Sequence, residues 1–158
     1  MKDLIRNIII LGLLAFLFFL FFPSADRNNE GKITSKGSLS TDDLRIGDCF
    51  NQKELSEDPD TYTELSEVEA MPCSSDHDFK VYAITQNAFS DQKSYDSDSL
   101  APVNFCFSEY SKLRDISIDE VYIKLFEEEE EIAKSIYFFP TSESWAKGDR
   151  KVTCAIYE

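Results

Sequence analysis

The chain has 158 residues, with 16 Lys/Arg against 30 Asp/Glu, one His and four Cys. That length suits one ordinary domain plus a targeting segment. The acidic excess lies in residues 41–158, which carry 11 Lys/Arg and 27 Asp/Glu, a net charge of −16; such a surface repels phosphates, so no nucleic-acid partner is expected.

At the N-terminus, Lys2 and Arg6 precede an unbroken apolar run from Ile8 to Phe22, IIILGLLAFLFFLFF, which ends at Pro23. Its length fits a long signal-peptide core or a short membrane-spanning helix. The nearest cleavage-like triplet, Pro23-Ser24-Ala25, has Pro where a small residue belongs. The first cysteine, Cys49, lies too far on for a lipid anchor. Residues 1–23 therefore read as a membrane anchor or uncleaved signal, with residues 4–23 in the membrane. Lys2 and Arg6 hold the N-terminus in the cytoplasm and leave everything after Pro23 outside. Residues 24–40, SADRNNEGKITSKGSLS, are polar and poor in bulky apolar side chains. They read as a flexible linker, with the extracytoplasmic domain spanning 41–158.

LRIGDCF (44–50) predicts a short strand interrupted by a turn at Gly47-Asp48, and VEAM (68–71) leads into Pro72-Cys73. FKVYAIT (79–85) alternates like a half-buried strand. After the polar loop DQKSYDSDS, spacing of Val103, Cys106, Phe107, Tyr110 and Leu113 predicts a helix over about 99–113, with Pro102 in its tolerant first turn. IDEVYIKLFEEEEEIA (118–133) suits an amphipathic helix, although VYIKLF has strand propensity. SIYFF (135–139) and RKVTCAIY (150–157) read as strands. The expected architecture is α+β: a small, mostly antiparallel sheet with one or two helices on one face.

All four cysteines, Cys49, Cys73, Cys106 and Cys154, fall in the exported part, and an even count there implies two disulfides. Three connectivities are open. Pairing Cys49 with Cys73 and Cys106 with Cys154 joins neighbouring elements first, then the helix to the last strand. No two cysteines stand close enough for the usual paired zinc spacing, so no metal and no cofactor is expected.

The only histidine, His77, follows Cys73 by four residues. A nucleophilic pair needs a free, accessible thiolate, which a disulfide removes. His77 and Asp78 instead suit the turn that enters the 79–85 strand. Asp91, Asp96 and Asp98 lack the alternating ligands and central glycine of an EF-hand loop. Glu127–Glu131 read as a solvated face, and Trp145 as a lid over the core. Gly-Asp precedes a cysteine twice, in GDCF (47–50) and GDRKVTC (148–154).

Together, LRIGDCF (44–50), MPCSSDHDFKV (71–81), the Cys106 helix and FPTSESWAKGDRKVTC (139–154) resemble the septum-formation domain family of actinobacterial envelope proteins. That family shows a G-D-C-F-like start, a V-P-C…H-D…E-V segment and a P…W…G-D-R…V-x-C end. The likeness spans nearly all of 41–158, and on it His77, Asp78, Trp145, Gly148, Asp149 and Arg150 are signature positions. Where the family typically has Pro before the His and Glu before the Val, this chain has Asp76 and Lys80, which counts against catalysis there. The resemblance implies a membrane-tethered extracytoplasmic module linked to cell division, without an established reaction. The expectation is thus a non-enzymatic module that contacts other envelope or division proteins. The alternatives are an enzyme using His77 with Asp76 or Asp78, and a small-ligand or cation sensor.

Overall fold

A computed structural model of the chain describes residues 23–52, 65–89, 91, 95, 100–127, 132 and 134–158. In chain order the elements are β1 (Gly37–Ser40), a 3₁₀ turn (Thr41–Asp43), β2 (Cys49–Asn51), β3 (Glu67–Met71) and β4 (Phe79–Thr85). They continue with α1 (Ala101–Arg114), α2 (Ile118–Phe126), β5 (Ile136–Phe138), α3 (Ser142–Ala146) and β6 (Val152–Tyr157). The strands form one sheet in the order β1-β3-β2-β4-β6-β5, antiparallel throughout. The fold is α+β.

Period-2 patterning decides which way β6 faces. Val152, Cys154 and Ile156 point toward the helices, where they join Cys106, Trp145, Phe107 and Val121 in the core. Ala155 joins the core on the opposite face, with Phe50, Val68, Phe79 and Val81. Val152 to Ile156 are all buried, as befits a strand covered on both sides. The register between β4 and β6 shifts between Val81 and Ala83, leaving Tyr82 as an extra residue. Tyr82 packs toward the helices and donates from its hydroxyl to the Cys106 carbonyl at 2.8 Å.

Helix α1 carries Pro102 in its first turn and stops at Asp115, which takes a left-handed conformation at φ 53°. Ser117 then caps α2, its side chain accepting from the Glu120 backbone N–H at 3.2 Å. The helix expected over 118–133 is described through Phe126 and again at Ile132; residues 128–131 and 133 lie outside the described residues. Helix α3 was not foreseen in a stretch where only Trp145 was singled out, as a lid over the core. Thr141 and Ser144 form a reciprocal capping box that starts it.

Residues 24–40 are not a linker; they belong to the fold. Gly37–Ser40 form edge strand β1, paired with Ala70–Glu67 of β3. Ile33 is 8% exposed and packs in the same core as Phe50 and Val81, with Ala25 and Leu39 against it. Residues 23–25 lie directly on β1: the Pro23 and Ser38 carbonyls accept from the Ser38 and Ala25 backbone N–H groups at 2.9 and 3.0 Å. A Cβ at position 37 would stand 2.6 Å from the Pro23 carbonyl oxygen and overlap the Ser24 carbonyl carbon, so only glycine fits. Composition misled here because so few apolar groups, mainly Ile33 and Leu39, carry the burial. Among the described residues no helix is long and apolar enough to cross a membrane, and the apolar run 8–22 lies outside them.

Candidate functional site

Cys49 is bonded to Cys73, and Cys106 to Cys154, and no described cysteine is free. The first bridge clips the turn after β3 to the start of β2; the second ties the buried face of α1 to β6. Cys73 therefore offers no thiolate to His77. The imidazole Nδ1 is 2.8 Å from the Ser75 carbonyl oxygen, which only a protonated nitrogen can satisfy, so Nδ1 carries the hydrogen. Nε2 is buried without a hydrogen-bond partner, and its nearest charged neighbour is Glu158 at 3.6 Å. Glu158 also takes Lys80 at 3.3 Å. The Asp76 and Asp78 side chains are exposed. The Asp78 backbone N–H donates to Asn51 Oδ1 at 2.8 Å, and its carbonyl accepts from the Glu158 N–H at 3.0 Å. This is a turn tied to its neighbours on both sides.

The second group of signature residues forms a separate cluster. Trp145 is buried, stacked on Tyr95 with ring centroids 4.2 Å apart and edge-on to Phe89 at 5.5 Å. The Arg150 guanidinium lies over the indole, 3.4 Å from its centroid, and donates to the Trp145 and Asp149 carbonyls at 2.8 and 2.6 Å. Asp149 accepts from the Ser144 hydroxyl at 3.0 Å and from the Lys151 N–H at 2.9 Å. Lys151 reaches the 3₁₀ turn after β1, donating to the Asp42 and Leu44 carbonyls at 2.7 and 2.8 Å; burial holds its pKa below the usual lysine value. Gly47 and Gly148, at φ +89° and +99°, each make the turn that presents the following aspartate, Asp48 or Asp149. The Gly-Asp echo is thus one local device used twice.

These two clusters sit at opposite ends of the β4–β6 pair. Phe79, two residues after His77, pairs with Tyr157, whereas Thr85 pairs with Val152 near the Trp145 loop. Six residues of strand put about 20 Å between them. The structure does not bring the signature residues together.

What it does assemble is a cleft between α1, α2 and β5, with a volume of about 440 Å³. Tyr82, Val103, Phe107, Leu125, Ile132 and Tyr137 form its walls, and among the described residues no Asp, Glu, Lys or Arg lines it. Its rim is unusually apolar: Leu100 is 61% exposed and Tyr122 38%, and beyond the cleft Ile123 is 54% and Phe126 83% exposed. The Tyr122 ring packs edge-on to Phe107 at 5.6 Å, and its hydroxyl meets Asn104 Oδ1 at 3.3 Å. Sequence reading passed over this site. Its signal was present in α2, where Ile118, Val121, Tyr122, Ile123, Leu125 and Phe126 make an apolar surface wider than one buried stripe needs.

Asp91 is exposed, Asp96 and Asp98 lie outside the described residues, and no group of three or more His, Cys, Asp or Glu among the described residues is placed to hold a metal. Comparison with protein-family models, with curated proteins and with solved structures finds no match for this chain.

Proposed function

We propose that this protein is a non-enzymatic extracytoplasmic module, held at the membrane by residues 4–23, that binds another envelope or division protein through the cleft between α1 and α2. The observation that carries this reading is the exposed apolar surface at and beyond the cleft, Leu100 at 61% on its rim and Phe126 at 83% further along α2, beside an opening that no described charged side chain lines, on an otherwise acidic domain. Contiguous exposed apolar surface of this kind marks interaction sites on soluble domains. The Cys–His pair supports the non-catalytic side of the reading, since its thiol is in a bridge. The resemblance to septum-formation proteins supplies the cellular setting.

The folded state of residues 23–40 adds an orientation. On this proposal the anchor runs directly into Pro23, whose carbonyl is already hydrogen-bonded to Ser38 of β1. The domain then stands on the bilayer by its β1 edge, and the cleft is offered from the β5 edge. Five strand spacings separate the two edges, about 24 Å.

A photo-crosslinking residue at Phe126 of the full-length protein in its native envelope tests the reading. One defined protein adduct is expected, absent when the same group replaces Glu69 on β3. No adduct at Phe126, or the same adducts from both positions, would overturn it. A second reading, with His77 as a recognition residue, is favoured by its buried, unpartnered Nε2. His77→Gln separates the two: lost function with unchanged melting and secretion favours the histidine.

A further inference from the structure

Resting on the module reading above, the geometry points to a specific partner chemistry: we infer that the cleft receives the apolar face of an amphipathic, basic polypeptide segment, the helix-in-groove mode of recognition. Three observations select it. First, the apolar surface is larger than the cavity. Leu100 and Tyr122 line the opening, whereas Ile123 and Phe126 continue outward along α2, where a small molecule seated in the cavity would leave them bare. An elongated partner covers both.

Second, among the described residues the exposed charges beside the site are mainly acidic. Asp119 and Glu120 in the first turn of α2, and Glu127 at its end, are exposed. The nearby cations are engaged: Lys112 pairs with Glu109 at 2.6 Å, Arg114 lies over Tyr110, and Lys134 lies over Tyr157 with Nζ 4.5 Å from the ring centroid. Lys124, on α2 itself, is half-buried and leaves the three carboxylates in excess. The domain around them carries a net charge of −16 over residues 41–158. A second copy of this chain would bring the same acidic charge to the contact, and anionic headgroups would be repelled likewise. Lysines and arginines flanking an apolar face complement this site.

Third, the cleft lies toward the β5 edge, at the far side of the sheet from β1. With the β1 edge toward the bilayer, as proposed above, a lipid chain does not reach it, while a segment of a neighbouring exported protein does.

The test uses the full chain in nanodiscs of neutral lipid and two fluorescent peptides of the same leucine pattern, one with lysine and one with glutamate on its polar face. The leucine–lysine peptide is expected to bind, and raising salt from about 50 mM to about 500 mM should weaken it several-fold by screening. The glutamate peptide should bind at least about tenfold more weakly. Leu100→Ser with Phe126→Ser, two exposed positions whose exchange leaves the core intact, should cost the lysine peptide about tenfold. Equal binding of both peptides, indifference to the double substitution, or self-association of the chain in sedimentation would each overturn the proposal, as would binding of uncharged detergent with the same affinity. If the Phe126 crosslink forms but the peptides show no preference, the module reading stands and the basic partner falls. If no crosslink forms, the module reading itself fails.

Discussion

Arg27 and Asp48 form a two-point ion pair, Nη1 to Oδ1 at 2.7 Å and Nη2 to Oδ2 at 2.6 Å, joining the segment after the apolar run to the Gly-Asp-Cys-Phe turn. Arg27 also donates to the Gly31 and Asp43 carbonyls at 2.7 and 3.0 Å, and Asp48 accepts from the Arg45 N–H at 2.7 Å. Asp48 raises the guanidinium pKa, chiefly through these hydrogen bonds. With Asp48 5% exposed, Asp48→Asn leaves a charge without its counterion and should cost about 3 kcal/mol. Chemical denaturation of the single and double variants with Arg27→Met checks this, and strict additivity would show the pair uncoupled.

Gly37 makes a sharper test of whether residues 23–40 are part of the domain. Gly37→Val places side-chain atoms where the Pro23–Ala25 backbone now lies. It should lower stability by about 2 kcal/mol and expose residues 23–36 to protease. Unchanged stability and unchanged cleavage would restore the linker view.

The two bridges close loops of different length. The chain-entropy model assigns about 4 kcal/mol to Cys106–Cys154, separated by 48 residues, and about 3.5 kcal/mol to Cys49–Cys73, separated by 24. Replacing Cys106 and Cys154 by Ala should therefore be the more damaging change, more so because both sulfurs are buried. Thermal melting of the paired variants decides it, and the opposite ranking would refute it.

Tyr82 predicts an alkaline limb in stability. Burial, with help from Tyr110 and Glu109, pushes its pKa well above the ordinary tyrosine value. Below about pH 10 both states hold the proton and its contribution is constant. As pH rises further, the unfolded chain releases the proton while the folded chain keeps it, so stability falls. Lys151, whose pKa is lowered, acts with the opposite sign. Tyr82→Phe should thus flatten the fall above pH 10 relative to the parent chain, measured by urea midpoints. An identical fall in both would exclude Tyr82 as its source.

His77→Gln is expected to leave both the Phe126 crosslink and the melting temperature within experimental error. Its ring nitrogen bonds only the Ser75 carbonyl, which a glutamine amide can also reach. Loss of the crosslink with an intact fold would transfer the binding role to the His77 turn.

Much of this fold was legible because it is written in local signals. FKVYAIT alternates with the period of a strand, and the Val103–Leu113 spacing follows the pitch of a helix; both elements form where those periods place them. The burial of Trp145 agrees with an indole set beside a turn. The disulfide cysteines were identifiable from their even number in a segment expected to be exported, and the pairing by adjacency matches the bridges formed.

The rest depends on contacts between residues far apart in the chain, which periodicity does not encode. Nothing near Arg27 shows that its partner is 21 residues away, and nothing in SADRNNEGKITSKGSLS marks Gly37–Ser40 as the edge of a sheet completed by β3. The cleft is of the same kind: α2 shows too many apolar residues for one buried face, but only its packing beside α1 and β5 leaves Tyr122, Ile123 and Phe126 uncovered. The sequence by itself determined the central strands, the helices α1 and α2 and the pairing of the cysteines, because neighbouring residues and their spacing set those. The tertiary structure decided where the domain begins, which signature residues stay apart and which surface is left apolar, because each requires distant segments to meet.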